Sequence, residues 1–198
     1  MNLTFAHRKA TQALNFFARQ GTGQINKLKA LKLVYFADRC HLRRYGRPIT
    51  NDRYLAMNYG PVASSCKDLA EMSEFLGEEE RDYAERYLAP AGHDYRSKQE
   101  VDESEFSQTD LEALEFAWRE YGAGDGFRLA DETHQFPEWK KHEARLSSPY
   151  ESRVPMRYLD FLENPPPGID RLPPLAPEEQ ADLREQIDEL HAIESLWR

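Results

Sequence analysis

The residues whose types could do chemistry are few in this chain, and they form no standard catalytic or metal-binding motif. Glu132, His134 and His142 carry the donor atoms of a zinc site. Their spacing fits no common ligand pattern, and Pro137 breaks the helix that would align them. The alternative for His134 is an imidazole that bonds free carbonyls at a helix C-terminus. We expect no metal and no cofactor, and a metal-dependent hydrolase stays a third hypothesis.

Nucleophilic or acid–base chemistry has little support either. Cys40 and His41 are neighbours on a predicted helix, about 100° apart around its axis, so their side chains diverge. Two cysteines are too few for a disulfide framework or a zinc knuckle, and we expect both thiols to be reduced. Charged solvent-facing positions are the simpler explanation for the carboxylates that could pair as acid and base, which are Asp38, Asp52, Glu71 and Glu74. The chain is therefore predicted not to be an enzyme.

Arginines and tyrosines are concentrated instead between residues 39 and 59. Both residue types are enriched at protein-binding hot spots, and arginine with an aromatic ring also suits phosphate contact with base stacking. A solvated helix end beside buried tyrosines explains the same composition without any partner. From this segment we predict a partner-binding surface that contains Arg39, Arg43, Arg44, Arg53, Tyr54 and Tyr59.

Charge is distributed unevenly along the chain, although the net charge of -9 conceals this. Residues 1–60 carry 11 Lys/Arg against Asp38 and Asp52, a net charge of +9, so the other residues carry -18. Such an asymmetry indicates either a nucleic-acid surface or two oppositely charged parts that pack together. We favour packing, because a protein with a pI near 5.2 is a poor general binder of nucleic acid. A DNA-binding regulator that uses the basic N-terminal region remains the alternative function.

Composition places the chain among soluble domains. Its 198 residues, 40% of them hydrophobic, are enough for one domain with a core. No apolar run approaches the roughly 18 residues that a membrane span needs, and no signal peptide is visible. We expect a cytoplasmic protein without a membrane partner.

Apolar periodicity predicts a mainly α fold, a compact multi-helix domain with a small β-hairpin or short edge strands. Helices are predicted from about Thr4 to Gln20, from Ile25 to Gly46 and from Val62 to Phe75. Ile49–Met57 is typical of a short strand, and residues 77–107 of one or two edge strands. The second helix is expected to present a basic face to solvent or a partner, with Lys27, Lys29, Lys32, Arg39 and Arg43 on it.

The C-terminal part is expected to lie outside this domain. Within the domain itself, Pro137 and Pro155 should each begin a short helix. Residues 165–177 hold six of the twelve prolines and are predicted to form a stiff linker, which gives three units: 1–164, 165–177 and 178–198. The last unit is an acidic amphipathic helix that either docks on its own domain or lies in a groove of a partner. It adds Leu183, Ile187, Leu190 and Trp197 to the expected partner-binding residues.

The segment from Leu31 to Val62 resembles the opening half of the Panacea domain, also called the SocA-like antitoxin domain. The matching elements are Leu31–Asp38, Gly46–Thr50 and Ala56–Val62. A second signature of the family is similar to the later stretch with Leu129, Thr133, His134, Pro137 and Trp139. Together these elements span roughly residues 5–145.

The resemblance implies an all-helical domain with a small β-element and the role of an antitoxin in a toxin–antitoxin system, often linked to a phage or prophage. Such domains are thought to neutralise diverse toxins encoded nearby by direct protein–protein binding, and one member acts as an adaptor that delivers its toxin to a protease. We therefore expect a cognate protein toxin as partner, a protease in the adaptor case, and no nucleic acid, and we leave a homo-oligomer open. The matched positions expected to define the fold are Tyr35, Asp38, Tyr59, Gly60, Pro61, His134 and Trp139.

Overall fold

The computed structural model describes residues 4–196, and in this range the fold is mainly α with short strands, as predicted. The α-helices are α1 (His7–Gln20), α2 (Lys27–Tyr45), α3 (Ser64–Glu71), α4 (Glu78–Tyr87), α5 (Gln108–Tyr121), α6 (Gly126–Thr133), α7 (Pro137–Lys140), α8 (Glu143–Leu146) and α9 (Pro177–Leu196). The strands are β1 (Gln24–Asn26), β2 (Tyr54–Met57), β3 (Gly60–Ala63), β4 (Leu88–Ala91), β5 (Asp94–Ser97) and β6 (Arg153–Pro155). Short 3₁₀ helices cover Glu103–Glu105 and Tyr158–Leu162. No helix within residues 4–196 is both long and apolar enough to cross a membrane.

Helix α2 is the central element of the molecule. Every residue from Ala30 to Arg43 is buried, and α1, α3, α5 and α6 pack around it. The Asn26 side chain begins the helix by accepting a hydrogen bond from the Lys29 backbone N–H at 3.3 Å. Gly46 ends it with φ of 70°, a left-handed conformation that glycine adopts at low cost. A helix buried on all sides must find partners for its charged residues inside the protein.

Two three-stranded antiparallel sheets lie beside this helix. One has the strand order β1-β5-β4, and the other has the order β3-β2-β6. Strands β2 and β3 form a hairpin in which Met57 pairs with Gly60 across the tip. Strand β6 pairs Val154 with Ala56 on the other side of β2. The hairpin is therefore held between the helical core and a strand from much later in the chain.

Several secondary-structure elements differ from those that the sequence predicts. The helix predicted from Val62 begins only at Ser64, because residues 60–63 are strand β3 and the Asp52 carboxylate caps the helix at Ser65 N and Cys66 N, at 2.9 and 2.7 Å. Residues 77–107 contain the expected short strands as β4 and β5, but they also contain helix α4, which the sequence did not predict. Pro155 ends the edge strand β6 instead of beginning a helix, since an edge strand tolerates a residue without an N–H.

The proline-rich segment packs against the domain, contrary to the expectation of a linker outside the core. Leu172 is buried in the main apolar cluster, and the Asp170 carboxylate lies 2.5 Å from Arg39 Nη1. Leu183 and Ile187 of α9 are buried in the same cluster. Helix α9 thus docks on its own domain through these two residues.

Candidate partner-binding site

The prediction that Arg39 and Arg43 lie on an exposed basic face of α2 is wrong, because both side chains are buried and form their hydrogen bonds inside the protein. Arg39 is 1% exposed, and its Nε donates to Glu138 Oε1 at 2.7 Å. Tyr35 donates its hydroxyl to the same carboxylate oxygen, also at 2.7 Å. Arg43 is 3% exposed and donates from Nη2 to Asn164 Oδ1 at 2.7 Å. These arginines hold the C-terminal part of the chain to α2 and are not available to a partner.

Asp38 organises the turn that follows α2. Its Oδ1 accepts hydrogen bonds from the backbone N–H groups of Ile49 and Thr50 at 2.8 and 3.0 Å. Its Oδ2 accepts from the Tyr54 hydroxyl at 2.9 Å and from the Thr50 hydroxyl. Burial raises the pKa of Asp38 to about 6, against the lowering effect of these donors. Tyr54, 2% exposed, is accordingly part of the core and no surface for a partner.

The corner at Gly60 rests on a buried lysine. Lys32 is fully buried, and its ammonium donates to the Pro61 carbonyl at 2.7 Å. Burial lowers the pKa of Lys32 to about 7. Gly60 has φ of 87°, and a Cβ there would lie 2.2 Å from Thr133 Oγ1 and 2.9 Å from Lys32 Nζ. Only glycine therefore lets the hairpin approach α2 and α6 this closely.

The second signature segment contacts the same hairpin through Trp139. The His134 and Trp139 rings stack with centroids 4.0 Å apart, and Trp139 Nε1 donates to the Met57 carbonyl at 2.9 Å. Burial lowers the pKa of His134, which favours the neutral ring. Glu132 pairs with Arg171 at 2.6 Å. Among the described residues no group of three His, Cys, Asp or Glu side chains is arranged to hold a metal ion.

The remaining candidates for chemistry are also placed in structural roles. His41 is buried between the Arg47 carbonyl, 2.7 Å from Nδ1, and Thr109 Oγ1, 3.0 Å from Nε2. Burial raises the pKa of the Cys40 thiol to about 11, and that of Cys66 well above its ordinary value. Thiols of this kind are poor nucleophiles at neutral pH because the thiolate is rare.

An apolar groove of about 870 Å³ lies beside the hairpin. Tyr59 and Phe127 stand at its edge, 59% and 65% exposed, with their rings 5.9 Å apart in an edge-to-face contact. The groove is formed by the start of α2, the hairpin, α3, the β4–β5 turn and the start of α6. Its lining consists of Asn26, Lys27, Leu28, Leu31, Met57, Tyr59, Val62, Lys67, Glu71, Gly92, His93 and Phe127. Large aromatic side chains left uncovered in this way are typical of an interaction site.

The rim of the groove is positive at the start of α2. Lys27 Nζ donates to the Gly92 carbonyl at 2.8 Å, and the first turn of α2 contains no acidic residue. The positive end of the helix dipole lies at the same place. Lys67 and Glu71 form an ion pair at 2.6 Å on the opposite wall and so contribute no net charge. A partner with an apolar face and a carboxylate near Lys27 would match this surface.

The predicted partner-binding residues fall into five groups. Tyr59 lies in the groove. Arg44 and Arg53 are exposed but lie away from it, and Arg53 borders a separate cavity of about 220 Å³. Arg39, Arg43, Tyr54, Leu183 and Ile187 are buried in the domain. Leu190 is 36% exposed on α9, and Trp197 lies outside the described residues.

The sequence interpretation did not assign Leu28, Leu31, Met57 or Phe127 to a binding site. Leu28 and Leu31 lie on the apolar stripe of α2, so periodicity predicts core positions for them. Phe127 follows a glycine-rich turn and carries no signal that separates an exposed ring from a buried one. The groove arises only when five elements meet, and that arrangement is not encoded in any local pattern.

The helical core and the two signature segments pack around one hairpin. A family model described as "Antitoxin SocA-like, Panacea domain" matches residues 31–140, from α2 to α7. The match covers more than half of the chain, which therefore belongs to the SocA-like antitoxin family with a Panacea domain, and the predicted resemblance is confirmed. No curated protein and no solved structure matches the chain.

Proposed function

We propose that this chain neutralises a cognate protein toxin by binding it directly through the groove. The observation that carries the proposal is the exposed pair Tyr59 and Phe127 beside a hairpin that belongs to the family region. Burial of both rings against the toxin would contribute on the order of 2–4 kcal/mol to the free energy of binding, which is enough to make them hot spots. The lysine rim would orient the toxin segment without adding much affinity.

Growth measurements test this proposal directly. The protein encoded next to this chain is expressed alone and together with the wild type, and the wild type is expected to restore growth. A Tyr59→Ser/Phe127→Ser variant is expected to lose this protection, although it should fold normally because both side chains are exposed. Tyr150, 93% exposed and outside the groove lining, provides the matched control Tyr150→Ser, which should protect like the wild type.

A second measurement distinguishes two modes of neutralisation. We propose occlusion of the toxin, with delivery to a protease as the adaptor alternative. Occlusion predicts that the intracellular half-life of the toxin stays the same or lengthens when this chain is present. If the half-life of the toxin shortens in a protease-dependent manner, the adaptor mode is supported and occlusion is contradicted.

Removal of the C-terminal part cannot be used to locate the toxin contact. Deleting residues 165–198 removes Asp170, the partner of Arg39, together with the buried Leu172 and Ile187. Loss of protection after this deletion would report unfolding as readily as a lost contact. Point variants of exposed residues are therefore required.

The DNA-binding alternative is weakened by burial. Three of the 11 basic residues in the N-terminal region, Lys32, Arg39 and Arg43, are inside the protein. Their charges are unavailable for phosphate contacts, which supply most non-specific affinity for DNA. If the adjacent gene product is not toxic, a mobility shift with the promoter of this chain is the measurement that would revive this function.

A further inference from the structure

The end of helix α9 carries an apolar pair that is only partly covered by its own domain. Ile187 is fully buried, whereas Leu190 and Ile193, one turn apart on the helix, are 36% and 53% exposed. Glu189, an exposed acidic residue, flanks this pair, whereas Asp188 lies on the opposite face of the helix. The helix thus presents an apolar stripe with a negative flank to solvent.

Helix α9 cannot place this pair in its own groove. Gln186 packs against Gly46 at the C-terminal end of α2, where a Cβ on the glycine would lie 2.5 Å from Gln186 Oε1. Leu31, on the groove floor, lies about 22 Å along the α2 axis from Gly46 at 1.5 Å per residue. Ile193 lies only about 10 Å along α9 from Gln186. A Leu190–Ile193 segment that occupies the groove must therefore belong to another copy of the chain.

The groove and the Leu190–Ile193 end of α9 are complementary in shape and in charge. The groove offers an apolar floor with Leu28 and Leu31 and two exposed rings at its edge, and an amphipathic helix end is the segment that such a groove accepts. Its rim carries the ammonium of Lys27 at the positive end of α2, opposite in sign to Glu189, which flanks the apolar pair.

We infer that the groove of one copy of this chain accepts the Leu190–Ile193 end of α9 from a second copy. Each copy carries one groove and one helix end, so the contact is head-to-tail and either closes reciprocally or continues to further copies. Toxin binding and self-association then compete for the same groove. This competition rests on the proposed function, whereas the contact between copies does not.

Sedimentation equilibrium of the full chain tests the contact with two variants that remove opposite halves of it. The groove variant is Tyr59→Ser/Phe127→Ser, and the tail variant is Leu190→Ser/Ile193→Ser; all four side chains are exposed, so folding should be preserved. The wild-type mass is expected to rise above 23.1 kDa with concentration. Each variant alone should associate at least about tenfold more weakly. Mixed together, the two variants should form a 1:1 heterodimer, because the intact groove of one meets the intact tail of the other.

Three results would overturn the inference. The wild type could remain at 23.1 kDa at concentrations of about 0.5 mM. It could associate as strongly after both pairs of substitutions, which would assign the contact to another surface. The mixed variants could stay monomeric although the wild type associates. A monomeric wild type that still restores growth through the groove would refute this inference and leave the proposed function intact.

Discussion

The buried Lys32 predicts how the stability of this protein depends on pH. The unfolded chain holds the lysine proton up to about its ordinary pKa of 10.5, whereas the folded protein releases it near pH 7, where burial places the pKa. Between these values the unfolded state binds more protons, so the free energy of unfolding must rise with pH. One group with this shift disfavours folding by roughly 4 kcal/mol at pH 7, and the penalty falls by roughly 2 kcal/mol by pH 8.5.

Urea unfolding at pH 7.0, 7.5, 8.0 and 8.5 measures this effect. With an m-value of about 2–3 kcal/mol/M, the wild-type midpoint should rise by about 0.5–1 M across the series. Lys32→Met should remove this rise, since it keeps the side-chain length and has no proton to lose. The series stops at pH 8.5 because the Cys40 thiol, with its pKa raised to about 11, begins to lower stability above its ordinary value of 9.

An exposed lysine provides the control for this series. The Lys67 side chain is 40% exposed, so Lys67→Met should keep the pH dependence of the wild type. The reasoning is refuted if wild type and Lys32→Met show the same slope, because the lysine would then be solvated or paired in the folded protein.

Three further stability predictions follow from the contacts of the core. Gly60→Ala should cost at least about 2 kcal/mol in urea unfolding, from positive φ and a Cβ that collides with buried atoms; near-neutral stability would show that the corner shifts freely. Glu138→Ala should cost about 3–5 kcal/mol because it leaves the buried Arg39 guanidinium with one carboxylate fewer, and a cost below about 1 kcal/mol would exclude this pairing. Ile187→Ala should lower stability by about 2–5 kcal/mol and its matched control Ile193→Ala by less than about 0.5 kcal/mol; equal effects would contradict the docking of α9.

The sequence predicts the helical class well because the strongest signals are local. The apolar period of α2 and the glycine after it locate that helix to within two residues of its observed bounds. Helix α4 was missed since its sequence, Glu78–Tyr87, is mostly charged and buries only Tyr83 and Ala84. Strand β1 is three residues long and pairs with β5, about 70 positions later, so nothing in its own sequence indicates a strand.

The candidate site could be predicted only in part. Tyr59 was assigned to a binding surface from composition, and it lies in the groove. Arg39 was assigned to the same surface because a helix face rich in cations usually faces solvent. Its partners, Glu138 and Asp170, lie 99 and 131 positions away along the chain, and only the folded structure reveals them. Helix periodicity alone therefore predicts the exposure of a charged residue wrongly when its partners lie far away in the sequence.

The affinity of the purified chain for the protein encoded next to it tests the central claim most directly. Isothermal titration should show tight binding for the wild type and for the Tyr150→Ser control. The Tyr59→Ser/Phe127→Ser variant should bind at least about thirtyfold more weakly, the loss expected when a hot spot worth about 2 kcal/mol is removed. An unchanged affinity in this variant, with its melting temperature preserved, would contradict the assignment of the groove as the toxin-binding site.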